Sequence, residues 1–199
     1  DTIYEIPLVL YNQGFDKTII NKLGIKNSKK HTQINYLDKA IKTYKSPKNQ
    51  VTIAMCGKYN SLHDAYKSIL EAFIHAGIDN DAKVNVKWLD TEQFEKDMNF
   101  KVFEGIDGIL IPGGFGYRGI EGKIMAAQYA RENNIPFLGI CLGMQCAVIE
   151  FARNICNLKN SNSTEFDVAT KYPVIDLMPS QKKVFDKGAT MRLGKYSCT

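Results

Sequence analysis

The sequence predicts an α/β fold, a doubly wound and mostly parallel sheet, and three observations carry that reading. From Val51 onward, short apolar runs alternate with stretches of helical period. The runs VTIAMCG, GIDGILIPGG and PFLGI each end at or beside glycine, the texture of strands feeding tight turns. Strand–helix–strand order also implies right-handed crossovers, with ligands bound at the carboxyl ends of the strands. Those ends are Cys56–Tyr59, Pro112–Gly119 and Cys141.

Taken in order, residues 1–28 break at Pro7, Gly14 and Gly24 into two short helical pieces, LVLYNQG and DKTIINKLG. Neither can bury an apolar face alone, so they are expected to belong to the edge of another domain. Residues 29–50 are polar around a helical INYLDKAIKTY closed by SPKNQ, a linker helix and turn. The strand VTIAMCG comes next, then a helix near Leu62 to Ala76 with Ala65, Ile69, Ala72, Phe73 and Ala76 on one side and Asp64 in its first turn. VNVKWL is a strand and TEQFEKDMNFKVF a weak helix. GIDGILIPGG runs from strand into glycines, and IEGKIMAAQYARENN is a helix with a polar end. PFLGI and LGMQCAVIEFARNI supply the last strand and helix of the alternation. Beyond Cys156 the only expected strand is YPVIDLM.

The bulk numbers exclude several classes. Apolar residues make up 44% and charged residues 24%, ordinary for a globular chain with a real core. The formal charge is +5 and much of the excess lies between Lys22 and Lys48, not in a stripe interleaved with aromatics. A solvated basic face is favoured there over nucleic-acid binding. No apolar run approaches the length of a membrane span, so no membrane partner is expected. Five cysteines without CxxC or a Cys/His cluster point to reduced thiols, a cytoplasmic protein and no metal site.

The chemistry-bearing stretch is GICLG, with Cys141 between Gly139 and Gly143. G-x-C-x-G at a strand-to-helix junction is the cysteine form of a nucleophile elbow. It would project the sulfur into the crevice at a helix N-terminus, whose partial positive charge favours thiolate. It would also free the Leu142 N–H for an oxyanion. Taken alone, the pattern fits equally a small buried residue among glycines that permit close packing. Cys56, Cys146 and Cys156 fit that structural role better. The glycines of IPGGFGYRG end the preceding strand, where Gly113 and Gly114 can turn a second N–H inward. This run matches neither glycine-rich phosphate motif. Lys58, in CGKY, reads as a solvated residue of a plain turn.

PGGFGYRG, PFLGICLGMQ and NSTEF, with GATMRLG further on, resemble the glutaminase domain of the CTP synthase family, a class I (triad) glutamine amidotransferase domain. The likeness extends over nearly the whole chain. It makes residues 1–28 the tail end of a synthetase domain, 29–50 the interdomain linker and 51–199 an amidotransferase domain truncated at its C-terminus. The resemblance implies that Cys141 attacks the glutamine amide carbon and that Gly114 and Leu142 supply the oxyanion N–H groups. Gly114, Leu142, Gln145 and Glu165 would hold the glutamine, and Phe115 would lie in a loop associated with GTP as activator. It further implies that the ammonia goes to UTP to make CTP in pyrimidine biosynthesis, and that ATP and Mg belong to the synthetase domain, with no cofactor in this one. A homotetramer is implied for the full-length protein. The family's triad histidine and glutamate come from a His-Pro-Glu segment downstream of MRLG. His31, His63 and His75 do not match it. The 199 residues alone are therefore expected to be inactive, or to act as a pseudo-glutaminase module with an interaction or regulatory role.

Overall fold

The computed structural model describes residues 2–26, 32–57 and 63–177, the side chains of Thr32, Gln33 and His63 excepted. Lys58 and the GATMRLG run lie outside the described residues. The alternation is present as expected: β1 (Asn49–Gly57), α4 (Lys67–Asp79), β2 (Ala82–Asp90), α5 (Thr91–Asp97), β3 (Gly108–Ile111), α6 (Ile120–Glu132), β4 (Phe137–Gly139) and α7 (Leu142–Asn154). These strands form one sheet in the order β2-β1-β3-β4, and β3 and β4 run parallel. Before them come α1 (Ile6–Asn12), α2 (Phe15–Leu23) and α3 (Thr32–Lys45).

The chain divides into two compact units. The first comprises residues 1–54, 59–87 and 103–107, and the second residues 55–58, 88–102 and 108–199.

In the first unit, the two short N-terminal helices bury none of their residues. Ile6, Val9, Phe15 and Leu23 are all exposed. Gly14 and Gly24 bound α2 in the left-handed conformation, and Ile25 N–H closes the end of the helix on the Ile20 carbonyl at 3.1 Å. Tyr4 donates to the Glu71 carboxylate, and its oxygen lies 3.0 Å from His75 Nε2. His75 therefore has a structural contact. The helix expected from Leu62 starts later, because His63–Tyr66 forms a 3₁₀ turn with Tyr66 outside helical geometry. An apolar hollow of about 500 Å³ lies in this unit, lined by Tyr44, Leu70, Phe73, Ile74 and Val84 among others. It contains none of the candidate catalytic residues.

In the second unit, the Asp90 side chain caps α5 by accepting from the N–H groups of Glu92 (2.8 Å) and Gln93 (3.1 Å). The single weak helix expected over residues 91–103 is in fact two pieces. Met98 takes a left-handed φ of 47° and ends α5, and Phe100–Phe103 continues as a 3₁₀ turn. All four residues of β3 are buried. Its register against β4 sets Ile109 opposite Phe137, Leu110 opposite Leu138 and Ile111 opposite Gly139. Ile120 and Ile124 of α6 meet Leu142, Cys146 and Ile149 of α7 in one apolar cluster, against which Phe166 and Val174 pack.

A charged link joins the same two helices. Arg131 Nε and Nη2 grip the Glu150 carboxylate at 2.7–3.1 Å, and Asn154 Nδ2 adds a bond at 2.9 Å. Glu150 is 3% exposed and Arg131 31%. The pair holds Arg131 above its ordinary pKa, chiefly through the Glu150 hydrogen bond. Arg131→Ala would strand a buried carboxylate, so it is expected to lower the unfolding free energy by about 3 kcal/mol. Urea denaturation of the two proteins checks this, and equal midpoints would refute it.

Residues 162–175 hold a feature absent from the sequence reading. β5 (Asn162–Ser163) pairs in parallel with β6 (Pro173–Ile175), the latter lying inside the expected YPVIDLM strand.

Candidate active site

The glycines around Cys141 follow from close approach. Ile140 N–H donates to the Ile111 carbonyl at 2.9 Å, which fastens the end of β4 to the end of β3. The chain then reverses into α7 within one residue. Cys141 takes φ 51° and ψ −105° and occupies the N-cap of the helix. That conformation is sparsely populated for a residue with a side chain, and it persists because both flanks are fixed. A Cβ on Gly139 would lie 2.5 Å from the Gly143 carbonyl carbon, and one on Gly143 would lie 2.2 Å from the Ile111 oxygen. Neither position admits alanine without moving backbone. The elbow geometry and the reason for its glycines thus match the expectation.

The thiols separate by environment. Cys141 and Cys156 are exposed, whereas Cys56 and Cys146 are buried. Burial pushes the Cys56 and Cys146 thiols up to about 12, so both remain protonated at neutral pH and act as small apolar residues. The reading as small buried residues holds for these two and fails for Cys156, which is exposed.

The glycine loop after β3 meets the elbow. A Cβ on Gly113 would stand 3.5 Å from Cys141 Cβ, and one on Gly114 would stand 3.4 Å from Leu142 Cδ2. Gly114 and Leu142 are therefore neighbours, as a pair of oxyanion donors requires. Gln145 lies one turn into α7, half-buried, with its N–H on the Cys141 carbonyl at 3.1 Å. Phe115, between Gly114 and Gly116, is 62% exposed.

Glu165 joins the same loop from the far end of the sequence. Its Oε1 accepts from the Gly116 N–H at 3.4 Å. The NSTEF segment holds it by its neighbours. Ser163 is buried and its Oγ accepts the Glu165 N–H at 3.2 Å. Thr164 Oγ1 donates to Asp176 at 2.7 Å, and Phe166 packs on the α6–α7 core. Glu165 itself is exposed. Ser163 and Gly116 are the functional neighbours that sequence reasoning missed. A Ser two residues before a Glu is the local signal that could have found Ser163, since such hydroxyls bond backbone two positions on.

An exposed cysteine in a strained elbow, a glycine turn packed against it and a carboxylate on the adjoining loop form one candidate site. The chain belongs to the class I glutamine amidotransferase family, whose family model matches residues 61–199. CTP synthases are among its curated relatives. It is 57% identical over 200 residues to that of Pelodictyon phaeoclathratiforme, covering 100% of this chain and 35% of the relative. It is 54% identical over 201 residues to that of Methanocaldococcus jannaschii, covering 98% and 37%. The chain thus spans about a third of the length of these relatives. Among solved structures, a Trypanosoma brucei CTP synthase glutaminase domain with bound acivicin superposes with a TM-score of 0.62 at 41% identity, covering 66% of this chain and 51% of that one.

Proposed function

We propose that this chain is the glutaminase part of a CTP synthase and that Cys141 is its nucleophile. The observation that carries the reading is Cys141 at φ 51° on the N-cap of α7, held between two glycines that admit no side chain. In the proposed reaction the Cys141 sulfur bonds to the side-chain amide carbon of glutamine, and charge gathers on the carbonyl oxygen. The N–H groups of Gly114 and Leu142 stabilise that oxyanion. Collapse expels ammonia, which takes the proton lost by the thiol, and leaves a thioester. Water then cleaves the thioester to glutamate. Glu165 would pair with the substrate ammonium, a charge-assisted contact, and Gln145 would complete the grip on glutamine.

The ammonia would serve the amination of UTP to CTP, with ATP and Mg bound by a synthetase domain of the parent protein and a homotetramer formed at full length. On this reading residues 1–28 close that domain, which accords with the exposed apolar residues of α1 and α2. Residues 29–50 are the linker, and residues 51–199 the amidotransferase domain. Phe115 offers a ring face on which the guanine of GTP would stack as activator. No helix among the described residues is long and apolar enough to cross a membrane, which suits a cytoplasmic enzyme.

The His75 ring is engaged by Tyr4, while His31 and the His63 side chain lie outside the described residues. A second reading, the 199 residues as a catalytically silent module, rests on the resemblance, since none of His31, His63 and His75 matches the family's His-Pro-Glu segment. Two measurements test these readings together. Diazo-oxo-norleucine, a glutamine-like electrophile, should modify Cys141 and spare Cys156, which is also exposed; peptide mapping that finds the label elsewhere overturns the nucleophile. Ammonia release by the 199-residue chain should be at background; steady turnover that Cys141→Ser removes overturns the silent reading.

A further inference from the structure

α6 carries a lysine where its own helical pattern places a core residue. Ile120, Lys123, Ile124, Ala127 and Ala130 are all buried, at spacings of three and four. Lys123 is only 2% exposed. Withdrawing an ammonium from water is costly, and the adjacent positive end of a helix dipole adds to the cost. The hydrogen bonds it makes offset that cost and show what it holds. Nζ donates to Thr91 Oγ1 and to the Gly119 carbonyl at 3.2 Å each, and reaches the Arg118 carbonyl at 3.5 Å.

All three acceptors belong to one junction. Thr91 is fully buried and opens α5. The two carbonyls are the last of the glycine loop, where Gly119 turns at φ 66° into α6. A Cβ on Gly119 would lie 2.5 Å from Thr91 Oγ1, so the loop is seated directly on α5. Arg118 Nη1 also approaches Glu92 Oε1 at 3.7 Å. The exit of the loop is therefore anchored, chiefly by a buried cation. The front of the same loop carries Gly114 beside Leu142 and Gly116 beneath the Glu165 carboxylate.

We infer that Lys123 is a positioning residue for the glutamine site: its ammonium fixes the exit of residues 113–119, and through them the aim of the Gly114 and Gly116 N–H groups. The inference rests on the glutaminase reading. Lys123 acts through the loop and not on the substrate, so its loss should slow recognition of glutamine without altering the thiol. Small displacements of positioned groups cost about ten- to a hundredfold in rate.

The test compares two reagents on the full-length parent protein. Diazo-oxo-norleucine needs the assembled glutamine site, whereas iodoacetamide needs only an accessible Cys141. Lys123→Met keeps the length and apolar stem and removes the donor. It should slow modification of Cys141 by the glutamine analogue about tenfold or more, leave alkylation by iodoacetamide unchanged and leave the unfolding midpoint unchanged or higher. Lys123→Arg, which keeps the charge, should recover part of the lost rate. If Lys123→Met does not fold, Thr91→Val decides, since it deletes one acceptor and keeps the shape. Slower analogue labelling with unchanged alkylation supports the inference there too. Analogue labelling at the wild-type rate overturns it, and so do equal losses with both reagents accompanied by a lower unfolding midpoint. If the wild-type protein itself resists the analogue at Cys141, the glutaminase reading falls and takes this inference with it.

Discussion

Cys141→Gly should produce a protein that is more stable and catalytically dead. The thiol is the nucleophile that opens the proposed reaction, and removal of a nucleophile that acts within a catalytic unit costs on the order of 10⁴- to 10⁶-fold in turnover. Glutamine-dependent activity of the full-length parent should therefore fall to background, while activity with supplied ammonia persists. The stability gain has a separate cause. Cys141 is held at φ 51° and ψ −105°, and such strain costs about 1–3 kcal/mol. Glycine relieves it but adds entropy to the unfolded chain, leaving a net gain of about 1 kcal/mol. Alanine at the same position abolishes activity without relieving the backbone. A Cys141→Gly protein less stable than Cys141→Ala would contradict the strain argument, and residual glutamine-dependent turnover in either would contradict the chemistry.

Gly143→Ala is expected to be the most disruptive single methyl addition at the elbow. The added carbon would stand 2.2 Å from the Ile111 carbonyl oxygen and 2.9 Å from Ile111 Cβ. Neither atom belongs to a flexible side-chain end, so relief requires the start of α7 to lift from β3. The loss should be about 3 kcal/mol or more. Because Leu142 and Gln145 lift with the helix, labelling of Cys141 by a glutamine analogue should also collapse. Gly105→Ala makes a useful contrast: it meets nothing within 4 Å, and its φ of 72° leaves only backbone strain. Its cost should be smaller, about 1 kcal/mol, with labelling intact. Chemical denaturation of the pair separates collision from conformational strain, and equal losses would refute the collision account.

The strand–helix alternation was legible in the sequence because most of its elements have a clear period and end at glycine, asparagine or proline, β2 and α5 excepted. What escaped was decided by local backbone or by distant pairing. Met98 looks like a helix former, yet it takes a left-handed turn that divides the stretch over residues 91–103. β5 is two residues long and exists through its bonds to β6, so no window on NSNSTEF could display it.

The site shows the same division. The elbow could be read because its glycines are close in sequence to the cysteine they serve. Grouping Gly114, Leu142, Gln145 and Glu165 needed the family resemblance, since nothing in their spacing links residue 116 to residue 165 across the Gly116–Glu165 bond. Lys123 was missed for a different reason. Lysines are counted as surface residues, although its place between Ile120 and Ala127 on the helical pattern puts it on the inner face.

The pairing of β5 with β6 has a bearing on the order of events during synthesis. The turn at Cys141 draws on residues from Ile111 to Gln145, so a nascent chain can close it soon after α7 emerges. Glu165 is secured only when Tyr172 and Ile175 arrive to bond Asn162 and Thr164. At ribosomal speed the interval is roughly a few seconds. On the proposed function, the chain then exposes its thiol before it can recognise glutamine, so substrate selectivity would be acquired later than the nucleophile itself.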